Sequence, residues 1–508
     1  MNARNVVTEG QISEIVSINP ATMEEMERFA IASAEDVREA VARARAAQPA
    51  WGALSFRNRA RYILKARRAL YDRQNEIIQI ISDETGKPAF EALTTEVFPV
   101  ADLMSHFAAK SERILKDEKF TLAVFRNKRS AIIREPLGVV GIISPWNFPF
   151  SIPMGEIVMA LMAGNAVVLK PSEFTPIVAD AIRRLMAAAG FPEGVFTVVQ
   201  GDGSTGAALV DSMVDKIFFT GSVRTGKRIA ETAAKRLLPV VLELGGKDPM
   251  IVLEDAPFER TVKGAVWGAF ANCGQVCASV ERLYVVESMA DRFINAVVDE
   301  VKKLRVGPPA GRNADVGPLV NENQLNTVSD HVADAVARGA RVLTGGRRRE
   351  DLGGYFFEPT VLVDVDDSMK VMTEETFGPV LPIRVVKDEE EAIREANNSR
   401  YGLLASVWTT NERGRRVARR VEAGTVIIND ALYTHGAAQT PWFGVKESGM
   451  GVTHGSAGLM EFVRLKHVNW DLLPMKSNWW WFPYTDRWYT RFKTLMKVLY
   501  RWGLRKIS

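Results

Sequence analysis

The sequence predicts an α/β fold in which a doubly wound parallel sheet is followed by a second α/β domain. The chain has 508 residues, more than one hydrophobic core usually holds, so two or three domains are expected. From Gly138 onward, short β-branched runs alternate with helical stretches. Buried strands that alternate with helices are typical of a parallel sheet covered on both faces.

The elements of the first half follow from residue spacing. Residues 35–116 predict helices, because apolar residues recur three and four positions apart, as in Val37, Val41 and Ala44. Residues 119–136 predict two strands joined by a polar turn. The predicted strands that follow are 139–144, 166–170, 195–200, 216–220, 240–243 and 250–252. The predicted helices between them are 152–163, 177–189 and 222–237.

The second half repeats this alternation less regularly and predicts the second α/β domain. Its predicted strands lie near 282–286, 379–386, 404–409 and 424–429. Its predicted helices lie near 289–305, 319–338, 388–397 and 411–422. The sequence contains no internal repeat and no low-complexity segment.

Composition narrows the class of protein. Hydrophobic residues make up 47% and charged residues 25%, which is typical of a soluble globular protein. No run of eighteen apolar residues predicts a membrane span, and the first residues do not resemble a secretory signal. The two cysteines are too few for a disulfide framework, so a reducing cytosol is the expected compartment.

Two segments contain candidate catalytic side chains. Cys277, within the run NCGQVCAS, has small neighbours that would let a substrate approach, although an inert buried cysteine is an open alternative. The five histidines are scattered along the chain, which argues against a Cys–His pair or a zinc site. Glu243 ends an apolar strand before two glycines, where it could act as a general base or merely cap the turn.

Three further segments lie at predicted strand ends, where ligands bind in open parallel sheets. In SPWNFP, the two prolines stiffen a turn in which Asn147 could donate to an oxyanion or form an Asx-turn. In FTGSVRTG, Ser222 is placed to cap a helix whose N-terminus would attract a phosphate. In KPSE, Lys170 and Glu173 could bind ribose hydroxyls. The G-x-G-x-x-G fingerprint is absent.

Taken together, these segments resemble the aldehyde dehydrogenase superfamily. Over about residues 15–470 they occur in the order and with the separations of that family: SPWNFP, LKPSE, FTGS-x3-G, LELGGKDP, GQ-x-C, EETFGPV and PWFGVKESG. One departure is Trp442-Phe443-Gly444-Val445, which stands where the family has P-F-G-G-x-K; that segment is structural in the family.

The resemblance implies a role for each matching residue. Cys277 matches the nucleophile, Glu243 the general base and Asn147 the oxyanion donor, whereas Cys273 falls at a non-catalytic position. It also implies NAD as the cofactor, with NADP as an alternative, and no metal. The implied cofactor-binding residues are Ser144, Trp146, Lys170, Ser172, Glu173, Thr220, Gly221, Ser222, Leu244, Gly245, Glu375 and Phe377.

The resemblance further implies oxidation of an aldehyde to a carboxylic acid through a thiohemiacetal and a thioester on Cys277. A CoA-acylating enzyme and a non-catalytic structural protein are the alternatives. The implied domains are a dinucleotide-binding domain (1–118 and 137–245), a catalytic domain (246–446) and a bridging element (119–136 and 458–471) that pairs subunits into dimers or tetramers. The substrate-tunnel candidates Ala271, Ala278, Phe148, Ile152 and Tyr433 favour apolar aliphatic or aromatic aldehydes.

The C-terminal tail, residues 476–508, differs in character from the rest of the chain. It contains eight Lys or Arg residues against one acid, Asp486, and five of the eleven tryptophans. The remaining chain is therefore close to neutral, and nothing in it predicts nucleic-acid binding. On a helix, Trp488, Tyr489, Phe492, Leu495, Met496 and Leu499 would share one face opposite the arginines. Such a helix could pack on the protein, contact a membrane surface through 479–508, or cover the substrate tunnel.

Overall fold

The computed structural model describes residues 14–122, 124–309, 313–473 and 475–501. The chain divides into two compact units. Unit 1 comprises Met1–Leu115 and Glu135–Arg464, and unit 2 comprises Lys116–Arg134 and Leu465–Ser508. The predictions that concern residues 1–13, Trp502, Arg505 or Lys506 lie outside the described residues.

The first large sheet of unit 1 confirms the predicted doubly wound topology. Five of its six strands run parallel, and the edge strand Gly449–Met450 pairs antiparallel with Val240–Glu243. In spatial order the strands are Gly449–Met450, Val240–Glu243, Lys216–Thr220, Val139–Ile143, Ala166–Lys170 and Phe196–Val198.

Helices accompany this sheet, and its core is apolar. The helix Ser151–Met162 is buried along its whole length, because apart from Glu156 it has apolar or small residues on every side. The helix Gly203–Asp211 was not predicted; it contains two glycines and begins at the cap residue Asp202. The helices of this region are Ala34–Gly52, Phe56–Asp72, Gln74–Thr85, Ala89–Glu91, Phe98–Ile114, Ser151–Met162, Pro176–Ala188, Gly203–Asp211 and Val223–Ala234, with a π-helical segment at Ala92–Val97.

The second large sheet of unit 1 confirms the predicted second α/β region. It has seven strands in the order Arg341–Thr344, Thr360–Val363, Val380–Val386, Val280–Val286, Asp248–Val252, Leu404–Trp408 and Thr425–Ile428. The predicted strand 250–252 belongs to this sheet and not to the first. The first two strands were not predicted, and the outermost one is antiparallel.

Of the five longer helices in this second region, four lie close to predicted ones, whereas Phe258–Phe270 was not predicted. The longer ones are Phe258–Phe270, Ala290–Val301, Glu322–Ala337, Glu389–Asn397 and Asn411–Ala418, with short helices at Lys370–Thr373 and Gly455–Met460. A separate two-stranded antiparallel sheet is formed by Glu14–Ile18 and Glu25–Ala30.

Unit 2 is built on a three-stranded sheet. The predicted hairpin is confirmed, since Glu118–Thr121 pairs antiparallel with Lys128–Pro136, and Val463–Asp471 is the third strand. Within the unit, the Lys128 ammonium and the Asp471 carboxylate form an ion pair of 2.7 Å.

The tail in unit 2 forms the predicted helix, which spans Asp486–Met496 and continues as a π-helical turn, Lys497–Arg501. Its apolar face is only partly covered. The Phe492 ring lies 4.0 Å from that of Trp479, whereas Tyr489 remains 66% exposed. In the described part of the chain, no helix combines the length and apolar character that crossing a membrane requires.

Candidate active site

The carboxyl ends of the parallel strands bring the predicted site residues together. Thr220 and Glu243 end adjacent strands and are register partners. The Gly221 N–H donates to the Glu243 carbonyl at 3.0 Å, which joins the two strand ends. On the next pair of strands, the Ser144 N–H donates to the Lys170 carbonyl at 3.1 Å. This edge of the sheet is where ligands bind in open α/β folds.

The helix that follows Thr220 begins as predicted. Ser222 is its cap residue, and the Ser222 hydroxyl accepts a hydrogen bond from the Thr225 N–H at 3.3 Å. The first N–H groups of this helix, Val223–Ala234, therefore lie beside the strand ends. A helix N-terminus in this place favours an anionic group.

A cleft of about 260 Å³ opens at this edge. Most of the predicted residues line it, and two residues that the sequence did not indicate, Gln324 and Thr327, line it as well. Its predicted lining residues are Trp146, Asn147, Thr220, Gly221, Ser222, Glu243, Leu244, Gly245, Cys277, Glu375 and Phe377.

Four predicted residues do not line this cleft: Ser144, Lys170, Ser172 and Glu173. They lie at the ends of the two adjacent strands Val139–Ile143 and Ala166–Lys170, where the buried Lys170 ammonium lies 3.3 Å from the Glu173 carboxylate. Burial lowers the pKa of Lys170, and the Glu173 charge opposes that shift. The Ser144 hydroxyl is buried and has no hydrogen-bond partner in the described part of the chain.

The segment before Cys277 forms a left-handed turn. Asn272 and Cys273 have φ of 51° and 57°, values that residues other than glycine adopt rarely, and Gly274 has φ of 70°. The Asn147 amide donates to the Gln275 carbonyl at 3.0 Å, and the Asn272 amide donates to the Asn147 carbonyl at 3.1 Å. These hydrogen bonds hold Asn147 next to the cysteine segment.

Two glycines let the Cys277 segment and Glu375 approach the strand end. A side chain on Gly245 would lie 2.2 Å from the Glu375 carboxylate, and one on Gly246 would lie 2.5 Å from the Cys277 carbonyl. The Gly246 N–H donates to Glu375 at 3.1 Å. Any larger residue at either position would therefore displace one of these groups.

A buried ion pair supports the neighbouring segment that includes Phe377. The Lys247 ammonium lies 2.5 Å from the Glu281 carboxylate, and both are almost fully buried. Glu281 also accepts hydrogen bonds from the Thr376 and Phe377 N–H groups, each at 2.8 Å. The Phe377 ring meets the Trp146 ring edge-on at 5.4 Å, across the cleft wall.

A second cavity reaches Cys277 from another direction. It measures about 340 Å³ and is mostly apolar, and all five residues that the sequence suggested for a tunnel line it. Cys277 is partly exposed and lines both cavities, whereas Cys273 is buried and lines neither. The residues that line this apolar cavity are Glu91, Thr94, Thr95, Phe98, Pro99, Phe148, Ser151, Ile152, Trp267, Ala271, Asn272, Val276, Cys277, Ala278, Leu432, Tyr433, His435, Gly436, Ala437 and Trp442.

A third cavity, small and enclosed, lies behind Glu243. It measures about 10 Å³, close to the space of one water molecule. Glu156, His435 and His454 line it together with Glu243 and Cys277. The two histidine rings lie 4.7 Å apart, so histidines that are scattered in the sequence meet in space. Sequence reasoning missed these groups, because none of them belongs to a motif at a strand end.

Burial and neighbouring carboxylates set the proton affinities of the site. Burial raises the pKa of Glu243, and the nearby charge of Glu156 raises it further. Burial also raises the pKa of the Cys277 thiol, with added contributions from Asp248, Glu375 and Glu243. Both groups therefore hold their protons more strongly than they would in water.

Burial also shifts the pKa of three other groups that line the cavities, in each case toward the uncharged form. Burial raises the pKa of Glu156 to about 8, which the Thr220 hydroxyl opposes. Burial raises the pKa of Glu375 to about 8, and Glu281 adds to that rise. Burial lowers the pKa of His435 to about 4, so this ring is neutral at physiological pH.

The comparisons with known proteins agree with this geometry. The model of the aldehyde dehydrogenase family matches residues 7–468. The 4,4'-diapolycopene aldehyde oxidase of a Methylomonas species is 38% identical over 495 residues, which is 96% of this chain and 92% of that protein.

Two solved structures share the fold. The Mycobacterium tuberculosis aldehyde dehydrogenase complexed with NAD+ is 37% identical, with a TM-score of 0.87 over 92% of this chain and 95% of the other. An Escherichia coli NADP dependent enzyme is 36% identical, with a TM-score of 0.87 over 90% of this chain and 95% of the other.

The fold and the strand-end cleft thus define an NAD(P)-dependent oxidoreductase that acts on aldehydes. The chain belongs to the aldehyde dehydrogenase family.

Proposed function

We propose that Cys277 is the nucleophile that forms the acyl intermediate, that Glu243 is the general base for its hydrolysis, and that Asn147 is the oxyanion donor. One observation carries the proposal: Cys277 is partly exposed at the point where the strand-end cleft and the apolar cavity meet. An aldehyde that enters from the apolar side would reach the sulfur with its carbonyl next to the cleft.

The first chemical step is transfer of the Cys277 thiol proton to an ionised Glu243, which lines the same cleft, and addition of the resulting thiolate to the aldehyde carbon. Its carbonyl oxygen becomes an alkoxide, which the Asn147 amide and the Cys277 N–H stabilise. One such donor contributes about 3 kcal/mol in related oxyanion sites. Asn147 uses one amide hydrogen on the Gln275 carbonyl, so the second is available to the alkoxide.

The cleft residues fit a dinucleotide. The buried hydroxyls of Thr220, which lines the cleft, and of Ser144, at the neighbouring strand end, offer polar contacts, and the helix that begins after Ser222 offers N–H groups to a phosphate. When NAD(P) is bound, it supplies the hydride acceptor, and loss of the hydride leaves the acyl group on Cys277 as a thioester.

Glu243 completes the reaction by hydrolysis. Both of its carboxylate oxygens are buried and unpartnered in the described part of the chain, so neither is tied to another group. Glu243, once ionised again, takes a proton from water, the resulting hydroxide adds to the thioester, and the acid leaves as Cys277 is restored. This assignment distinguishes the protein from a CoA-acylating enzyme, which would pass the thioester to CoA.

A single variant tests this assignment. Glu243→Gln removes the base but leaves the thiol, which can still lose its proton to water, so we expect a burst of NADH followed by turnover slower by about a hundredfold. Mass spectrometry should then find the acyl group on Cys277. Glu231→Gln, at an exposed position of the helix Val223–Ala234, is the matched control. Turnover of Glu243→Gln at the parent rate, or parent activity that depends on added CoA, would overturn the assignment.

For the cofactor, we propose a preference for NAD over NADP. A 2′-phosphate placed near Glu173 would meet a like charge, whereas ribose hydroxyls would donate to it. The Lys170 ammonium beside Glu173 is available for the same hydroxyls.

For the substrate, we propose apolar aliphatic or aromatic aldehydes. Aromatic and aliphatic side chains dominate the cavity wall, and neither lysine nor arginine is among the described residues that line it. The Methylomonas relative is named for a diapolycopene aldehyde. A panel of aldehydes ranked by kcat/KM tests this, with apolar substrates expected first.

For location and assembly, we propose a cytoplasmic dimer or tetramer that pairs through 119–136 and 458–471, with a C-terminal tail that contacts anionic membrane surfaces. The helix of the tail has an aromatic side chain among basic ones: Tyr489 is 66% exposed, and Arg487 and Lys493 are exposed as well. Aromatic and basic groups together are typical of helices that lie in a membrane interface. The alternatives are packing on this chain or a partner subunit, and a cover over the substrate tunnel.

A further inference from the structure

We propose that Glu91 is a specificity-determining residue that disfavours aldehydes with a second, negatively charged group, because its carboxylate lies in the wall of the apolar cavity beside Cys277. This inference rests on the proposed function of that cavity as the aldehyde site. It names a class of substrate that the enzyme selects against.

The backbone fixes the Glu91 carboxylate in this wall. Glu91 ends the short helix Ala89–Glu91, and Thr94 and Thr95 of the following turn line the same cavity. Both of its carboxylate oxygens accept the Asn272 N–H, at 3.0 and 3.1 Å. The charge is thus held against Asn272, five positions before Cys277 in the chain, in the wall of the cavity through which an aldehyde would enter.

The Lys87 ammonium partly offsets this charge, but its hydrogen bonds go to other groups. Lys87 is fully buried and forms an ion pair of 2.6 Å with Glu96. It also donates to the Asn147 carbonyl at 2.9 Å. Among the described ion pairs, none includes Glu91, and no lysine or arginine lines the cavity. A substrate carboxylate would therefore find a like charge and no partner.

The role requires an ionised Glu91, and this carboxyl group is mostly ionised at the alkaline end of the physiological pH range. Burial raises the pKa of Glu91 to about 7, while the Asn272 N–H and Lys87 lower it and Asp315 raises it. Cys273 is the other titratable group that interacts with this carboxylate. Assays at pH well above that value hold Glu91 in its charged form.

The first test compares 4-oxobutanoate with its methyl ester, two aldehydes of the same carbon skeleton in which the ester methyl group removes the negative charge. Glu91→Gln keeps the size of the side chain and an oxygen for the Asn272 N–H. We expect the parent to favour the ester, and Glu91→Gln to lower the ester-to-acid ratio of kcat/KM by about tenfold, through a faster reaction of the acid. Thr94→Val, in the same wall and without a change of charge, should leave the ratio unchanged.

The second test needs no turnover. Alkylation of Cys277 by iodoacetamide and by iodoacetate, followed by mass spectrometry, compares neutral and anionic reagents of equal size. Glu91→Gln should raise the relative rate of iodoacetate, and Thr94→Val should not. An unchanged ratio in Glu91→Gln, or an equal change in both variants, overturns the proposal. If the parent oxidises neither aldehyde but the alkylation ratio shifts, the substrate proposal fails and the role of Glu91 stands.

Discussion

Glu156 and Glu243 face one enclosed cavity, and three of their four carboxylate oxygens have no hydrogen-bond partner in the described part of the chain. The two side chains come from a buried helix and from a strand end that are far apart in the sequence. Two buried carboxyl groups in such a space cannot both ionise easily, so they titrate as a coupled pair.

This relationship predicts the pH profile of hydrolysis. The Glu156 charge raises the pKa of Glu243, so Glu156→Gln should lower that pKa. The base would then be ionised at lower pH, and the acidic limb of the rate of acyl-enzyme hydrolysis should move to lower pH. Single-turnover hydrolysis measured across the pH range checks this. A limb that stays in place, or moves to higher pH, would mean that the two groups are not coupled.

The two cysteines should differ in their effect on activity. Cys277→Ala removes the group that both cavities reach, and we expect loss of NADH production by at least about a thousandfold. Cys273→Ala changes a buried side chain that lines no cavity described here, so most activity should remain, with a small loss of stability. NADH assays beside thermal unfolding separate these effects. The reverse pattern would refute the assignment of the nucleophile.

The preference for NAD can be measured directly. The parent should show a kcat/KM for NAD that exceeds the value for NADP by about tenfold or more, since a 2′-phosphate would meet the Glu173 carboxylate. Glu173→Gln removes the charge and should narrow this difference mainly by improving NADP. Equal values for the two cofactors in the parent would rule out the preference.

Membrane contact through the tail predicts a salt-dependent interaction. At low salt the full chain should co-sediment with vesicles that contain anionic lipid, and added salt or neutral vesicles should release it. Truncation after Asp471 keeps the whole strand Val463–Asp471 and should abolish binding. If both proteins remain in the supernatant, the membrane proposal is wrong; if only the quaternary state changes, the tail belongs to a subunit interface.

The sequence predicted the parts of the fold in which the local pattern and the tertiary environment agree. The strand Lys216–Thr220 and the cap residue Ser222 were located correctly, because a buried apolar run and a hydroxyl cap are both local signals. The strand Arg341–Thr344 was missed, because it lies at a sheet edge and is largely exposed, so its residues do not form a buried run.

In the candidate site, too, the residues that belong to local motifs could be predicted, and those that meet only through tertiary packing could not. Residues in motifs at strand ends, such as Glu243 and Thr220, could be predicted to meet, because parallel strands end at one edge. His454 and Glu156 could not, because their proximity depends on how the buried helix Ser151–Met162 packs against a distant loop. Glu91 was hidden for the same reason: only the folded chain places it against Asn272.

The paired glycines at 245 and 246 have a consequence for how this enzyme can diversify. They fix the distance between the strand that presents Glu243 and the segments that present Cys277 and Glu375, so a mutation there changes the reaction centre as a whole. The aromatic wall of the apolar cavity, by contrast, is contributed by separate helices and loops, where Phe98 and Tyr433 are 68% and 56% exposed. Residues of that wall can therefore be substituted to accept a new aldehyde without a change in the position of the reacting groups.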